Sequence, residues 1–370
     1  MMNWLGERPE REHLGKRVGE MWQAGGVRRV TLEEGPWGGT EAVVFRTGSG
    51  FSFWALPSRG LDISHAEYCG VPLAWLSPAR EAHPSRYEPE GLGWLRGFFG
   101  GLVATCGMTY MGAPCNDLGA ELGLHGRYSY LPAFGVQADA EWGQDGYEMW
   151  VQGRVREAAL FMDKLELKRR ISARLGESRL LISDVVTNIG HDPSPLMLLY
   201  HINLGYPIVD EGSELVAPSK TVRPRDQIAR TGVREYARFE APQHGYKEQV
   251  FYHEMAADES GYVGTAIVNP RLADGKGLGV YVRYRQRELA DFAEWKMMGE
   301  GDYVVGLEPA NGHVEGRARE RERGTLKTIE PGEVVEFAVE IGVLTSPEAI
   351  EAQRQAARAL VGPEGPKIFA

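Results

Sequence analysis

The chain of 370 residues carries only three cysteines, Cys69, Cys106 and Cys115, with no C-x-x-C pair among them. An odd number at such spacing argues against a disulfide framework and fits a reducing cytoplasm. Cys106 and Cys115 read as buried thiols in a glycine-rich region. No apolar run approaches the ~18 residues that a membrane helix needs, and no segment reads as a secretory signal. Positive charge is in deficit: 41 Lys and Arg against 51 Asp and Glu leave a net charge of −10. That balance removes any general attraction to nucleic acid or anionic lipid. Arg317, Arg319, Arg321 and Arg323 do cluster, but glutamates interleave with them, so the run reads as a solvated loop or strand face. There is no H-x-H or H-x3-H pair of the kind that marks a local metal site.

What the chain has in quantity is short apolar or alternating runs, each closed by Gly, Pro, Asn or Asp. They fall at 42–46, 51–56, 148–155, 165–171, 180–188 and 196–203, then at 264–269, 278–284, 292–297, 303–307 and 334–343. β-Branched and aromatic residues enrich them, as in strands with one wet face. The 47 glycines suit many tight turns. Helices are scarce; the best is 347–360, with Ser346 as N-cap and Pro347 at the first helical position. Strands at this density predict an all-β sandwich or barrel. Residues 1–40, with Arg8, Glu10, Arg11, Glu12 and His13, read as a polar arm or short helix packed on the domain. Residues 41–346 read as one sandwich domain and 347–370 as a C-terminal helix and tail. Two stretches break the rhythm, 91–132 and 217–252; at that length they read as functional loops or as unrecognised structure.

Three segments place a titratable group where a strand meets turn residues. Gly123-Leu124-His125-Gly126-Arg127 has glycines on both sides of a Leu–His pair. Leu199-Tyr200-His201-Ile202-Asn203 puts His201 and Asn203 two apart, and so on one face of an apolar strand. Val305-Gly306-Leu307-Glu308-Pro309-Ala310-Asn311-Gly312 ends a strand with a carboxylate before proline, which favours extended backbone. Taken singly, each has an ordinary reading as a hydrogen-bonded or exposed residue. If the three met in space, a carboxylate and two imidazoles could divide acid and base work near neutral pH.

His125 in Leu-His-Gly, His201 in His-Ile-Asn-Leu and Glu308 in Gly-Leu-Glu-Pro resemble, in the same chain order, the active-site segments of the galactose mutarotase-like superfamily. The text around them is similar to an uncharacterised bacterial branch of the aldose 1-epimerases. Its marks here are Pro57-Ser58-Arg59-Gly60-Leu61-Asp62-Ile63, Gly70-Val71-Pro72-Leu73-Ala74-Trp75, and Phe99-Gly100-Gly101-Leu102 with Thr105-Cys106-Gly107. The resemblance implies a β-supersandwich of large twisted antiparallel sheets with few short helices. It implies an aldose 1-epimerase with Glu308 as base, His201 as acid and His125 hydrogen-bonding the developing charge. Arg59, Arg127, Asn203, Trp295, Lys296 and Asn311 become candidates for substrate binding. Trp75, Trp94, Tyr110 and Tyr303 join Trp295 as candidate stacking platforms. No metal or organic cofactor is implied. The expected partner is a sugar or sugar derivative, with neither nucleic acid nor membrane, and a homodimer is left open.

The chain departs from standard mutarotases at three points. Arg127 stands where a second glycine follows His-Gly, and Ile202 stands where an aromatic precedes Asn. The aspartate that binds sugar hydroxyls has no evident counterpart. Arg59 and Arg127 fit an anionic sugar and structural ion pairs equally well. Two alternatives stay open on the same fold: a metal-dependent sugar isomerase or lyase using His125, His201 and Glu308 as ligands, and a non-catalytic carbohydrate-binding protein.

Overall fold

The alternation along 180–188 becomes a pleat in the computed structural model, which describes residues 10–370. Leu180, Ile182, Asp184, Val186 and Asn188 point into the core, while Leu181, Ser183, Val185 and Thr187 do not. That strand sits in an eight-stranded antiparallel sheet. Its order is Glu214–Val216, Tyr262–Asn269, Leu278–Arg285, Val334–Leu344, Arg179–Asn188, Lys164–Arg174, Gly146–Ala158 and Phe134–Gly143. A seven-stranded sheet faces it, in the order Lys367–Ile368, Ser219–Pro224, Gln249–Met255, Asp291–Met298, Tyr303–Ala310, Met197–Gly205 and Ala104–Met108. Only its Lys367–Ile368 edge is parallel. A five-stranded sheet from Gly26–Thr31 to Val71–Pro72 completes the sandwich.

The two large sheets meet through one apolar core that includes Leu198, Tyr200 and Ile202 from one side and Ile182, Val186 and Val339 from the other. Each such side chain contributes roughly 1.5–3 kcal/mol by leaving water. A buried ion network crosses the same interior. Arg169 forks onto Asp184 (2.9 and 2.7 Å) and reaches Asp62 at 3.1 Å, and the Tyr200 hydroxyl donates to Asp184 at 2.6 Å. Removing Arg169 would strand two buried carboxylates, at a cost of about 3–5 kcal/mol.

The strands Met197–Gly205 and Tyr303–Ala310 are buried on both faces. Their second face is covered by a smaller cluster in which Met197, Leu199 and Ala310 pack with Trp94, Phe98 and Phe99 from the 91–132 stretch. His201 and Glu308 stand on this second face.

Three expectations are corrected. The basic run is a helix, Arg317–Arg323, rather than a loop or strand face. Its arginines are engaged: Arg317 and Arg321 converge on buried Asp117, and Arg323 forks onto Glu315. The sheet begins before residue 41, because Gly26–Thr31 pairs with Glu41–Arg46. That edge strand is mostly exposed and so shows no alternation. The tail is likewise part of a sheet, through Lys367–Ile368. Within the arm, Arg11–Gly15 forms a short helix with Leu14 buried, whereas Arg8 lies outside the described residues. The C-terminal helix spans Pro347–Val361, and the Ser346 hydroxyl accepts from Ala349 N at 3.2 Å. All three cysteines are free; Cys106 is buried, Cys115 partly so and Cys69 exposed. Among the described residues no helix is long and apolar enough to cross a membrane.

Candidate active site

His201 and Glu308 come from neighbouring antiparallel strands. Leu199 pairs with Ala310 and Ile202 with Leu307, so the register sets His201 opposite Glu308. Leu198, Tyr200, Ile202 and Leu307 point into the core, which turns His201 and Glu308 to the opposite face. Nε2 of His201 lies 3.1 Å from Oε1 of Glu308, with both side chains almost fully buried. Gly306, also on this face, makes the approach sterically possible. A Cβ there would sit 2.7 Å from Glu308 Oε1, 3.1 Å from Trp295 Cβ and 3.2 Å from His201 Cε1.

His125 arrives from the loop that the glycines at 123 and 126 allow to bend. Its own φ is +56°, a left-handed conformation uncommon for a residue with a side chain. Backbone bonds hold it there: His125 N donates to Gly112 O at 2.9 Å, and His125 O accepts from Gly107 N at 3.1 Å. The imidazole packs against Trp94 (ring centroids 4.9 Å apart) and stands edge-on to His201 at 5.8 Å. Strain of this kind persists where surrounding contacts fix it, and it gathers at functional sites.

Burial decides the protonation states, because it penalises every charged form. Glu308 is pushed up to about 8, by desolvation first and the nearby Glu248 charge second, with Arg225 opposing. His201 is pushed down to about 3 by desolvation and by His125, and His125 to about 4 by desolvation and by Arg225. At neutral pH the His201–Glu308 pair therefore holds one proton between two groups, and His125 is a neutral imidazole.

The three residues open into a cleft of about 970 Å³. Trp75 and Trp295 stand edge to face in its wall with centroids 6.4 Å apart, and Trp295 approaches His201 at 5.2 Å. Trp295 is held by its indole N–H, which donates to Glu248 Oε2 at 2.8 Å. Arg225 donates to the other oxygen of Glu248 at 3.0 Å. Arg225 and Glu248 were not singled out in the sequence. Their only signal is that both lie in the polar 217–252 stretch, which, like 91–132, lines the cleft. Among the described residues, no group of three or more His, Cys, Asp and Glu is arranged to hold a metal ion.

Five candidates for substrate binding are corrected by where their side chains lie. Arg59 is fully buried and donates to Ser129 O, to Ala82 O at 2.8 Å and to Gly97 O at 3.1 Å. It braces the loop that follows His125 instead of facing the cleft. Asn203 shares a face with His201 but is roofed over, its amide donating to Gly100 O and Gly101 O. Lys296 points to the side opposite Trp295 and binds Glu235 O, Arg238 O and Glu240. Asn311 bonds Leu198 N and Leu196 O and so fastens two strand ends. Arg127 is exposed outside the cleft lining. Of the other aromatics, Trp94 is buried under His125, the Tyr303 hydroxyl donates to Glu240 O on the core side, and Tyr110 is buried beyond the lining.

Known proteins resemble this chain in family and in fold. The model of a family described as a domain of unknown function (DUF4432) matches residues 38–343. The chain belongs to that family. No curated protein matches it. Among solved structures, a candidate aldose 1-epimerase from Klebsiella pneumoniae superposes with a TM-score of 0.87 at 25% identity, over 93% of this chain and 89% of that one. A galactose mutarotase-like protein from Clostridium acetobutylicum aligns with a TM-score of 0.58 at 13% identity, over 87% and 99% of the two chains. Galactose 1-epimerase from Lactobacillus acidophilus aligns at 0.55 and 12% identity, over 86% and 98%. The last two likenesses establish the fold: this DUF4432 member is a galactose mutarotase-like β-supersandwich.

Proposed function

We propose that this DUF4432 protein is an aldose 1-epimerase, a carbohydrate-active isomerase that interconverts sugar anomers by opening and reclosing the ring. The observation that carries the reading is the buried His201–Glu308 pair, 3.1 Å apart in a cleft lined by Trp75 and Trp295.

Anomer exchange needs a base at the anomeric hydroxyl and an acid at the ring oxygen, acting together. When the shared proton sits on His201 Nε2, Glu308 is a carboxylate and both roles are filled. Glu308 takes the proton from the anomeric oxygen as that oxygen forms a carbonyl with C1. The C1–ring-oxygen bond breaks, and Nε2 delivers its proton to the departing oxygen. The proton count of the pair is unchanged. Rotation about C1–C2 and the reverse steps on the other face invert the centre. His125, neutral and held by backbone bonds, donates to the charge that develops on oxygen. Trp295 offers its face to the apolar side of the ring, and Glu248 accepts from sugar hydroxyls. Acid–base assistance of this kind is typically worth ~10²–10⁴ in rate.

The test is magnetisation-transfer NMR of α/β exchange over neutral, acidic and phosphorylated sugars, with Glu308→Gln alongside. Acceleration by the wild type and its loss in the variant supports the reading. Full activity of Glu308→Gln would overturn it. Tight sugar binding with no exchange would point to a binding protein, and exchange abolished by a chelator would point to metal chemistry.

A further inference from the structure

The cleft lining is of two kinds. Arg225, Glu248 and Asp302 are charged, while Leu92, Leu95 and Leu124 are apolar. Leu92 is 61% exposed and Leu95 49%, although both belong to residue types that normally seek the interior. They flank and occupy the 3-10 turn Gly93–Gly97. In that geometry residues three apart eclipse one another, so the two leucines form one apolar ledge while Trp94 between them turns inward.

The ledge is fixed. Gly93 N donates to Glu90 O and Leu124 N to Gly91 O, each at 2.9 Å. The Tyr130 hydroxyl donates to Trp94 O, and Trp94 stacks on Phe98 at 4.6 Å. Arg59 holds Gly97 O from beneath. The turn packs closely on Glu88, since a Cβ at Gly93 would meet Glu88 O at 2.6 Å. The leucines are thus held in water at the mouth of the reaction cleft, and exposed apolar surface at such a place marks a contact.

An unsubstituted aldose does not use this ledge. Its apolar ring faces are served by the tryptophans, and its outward hydroxyls would lose water against leucine with no partner in return. The volume of about 970 Å³ is also at the top of the range for drug-sized ligands, well beyond a single sugar ring. We infer that the substrate is a reducing sugar that carries an apolar substituent, deoxy, alkyl or acyl, remote from its anomeric carbon, which lies on the Leu92–Leu95 ledge. This rests on the aldose 1-epimerase reading above.

The test compares anomer exchange for parent hexoses with their deoxy derivatives and with esters of two to six carbons at O3, O4 or O6. Wild type and a Leu92→Asn, Leu95→Asn double variant are run in parallel. For at least one position, kcat/KM should climb by about fourfold for each methylene added until the ledge is covered. The climb should flatten in the double variant, whose thermal unfolding is checked first; Leu95→Ser alone serves if the double variant does not fold. Exchange of parent hexoses with no gain, or a loss, at every position overturns the inference and leaves the epimerase reading standing. So does a second copy of the chain seated on the leucines, seen as a dimer that the double variant dissociates, with no gain from substituents. No exchange of any sugar overturns the epimerase reading, and this inference with it.

Discussion

A Cβ added to Gly306 would lie 2.7 Å from the Oε1 atom of Glu308. The glycine is thus a spacer between the floor of the cleft and the pair that stands on it, and its smallness has a chemical purpose. Gly306→Ala should force Glu308 off His201 while the sheet survives. Overpacking of this sort costs about 1–3 kcal/mol. The expected result is a folded protein with a modestly lower Tm and at least tenfold slower anomer exchange, read by thermal melts and NMR on one sample.

Rate against pH separates a one-proton pair from an isolated base. A lone Glu308 base, raised to about 8, would make exchange faster as pH climbs through 8. A pair that needs one proton behaves in the opposite way, because above about 8 that proton leaves and the acid is lost. We expect kcat/KM to be flat from pH 6 to 7.5 and to fall about tenfold per unit well above 8. The acid limb lies towards the depressed range of His201, near 3. A profile that rises through pH 8 would remove the pair as the working unit.

Stability should carry the mark of the buried carboxyl. Unfolded, Glu308 ionises near 4.5; folded, near 8. Between those values the folded state keeps a proton that the unfolded state releases, so stability falls as pH rises across that window. Glu308→Gln has no such proton. Relative to wild type, the variant should therefore gain on the order of 2–4 kcal/mol between pH 5 and 8. Denaturant titrations at the two pH values measure it, and an equal difference at both would count against a neutral Glu308.

Arg59 provides a contrast between a residue that binds substrate and one that braces the fold. Its guanidinium donates to three carbonyls, which an ammonium cannot reproduce in the same plane. Arg59→Lys should cost about 2–3 kcal/mol of stability. The KM of the folded variant should stay within about twofold of wild type. A large rise in KM at unchanged Tm would return Arg59 to the substrate.

Much of the fold was legible because strands with one dry face repeat with period two, as Arg179–Asn188 does. Edge strands escaped. Phe134–Gly143 has no fully buried residue, and its half-buried face of Val136, Ala138, Ala140 and Trp142 rests largely on alanine, which is a weak signal. Ala104–Met108 escaped for the opposite reason, being buried throughout and built from Ala, Thr, Cys and Gly. The site was legible in kind but not in membership. His201, Asn203, Glu308 and Asn311 look alike in sequence, as polar groups at the ends of apolar strands. What separates them is whether backbone groups lie within reach of the side chain. Gly100 and Gly101 carbonyls accept from the Asn203 amide nitrogen, and Leu196 and Leu198 satisfy Asn311, whereas His201 and Glu308 are left to each other. That distinction comes from long-range neighbours, which spacing does not encode. Glu248 gave no signal, because an acidic residue in a polar stretch is ordinary until Trp295 and Arg225 close on it.

The order of strands in the seven-stranded sheet also has a kinetic side. His201 and Glu308 are 107 residues apart in sequence (308 − 201), and the strands beside theirs come from 104–108 and 291–298. The hairpin of 291–298 with 303–310 is local, but long loops must close before Met197–Gly205 is flanked by 104–108 and 303–310, which makes those contacts late. No fragment ending before Glu308 contains the pair. During refolding, exchange activity should therefore return with the slowest phase of core burial rather than with early secondary structure.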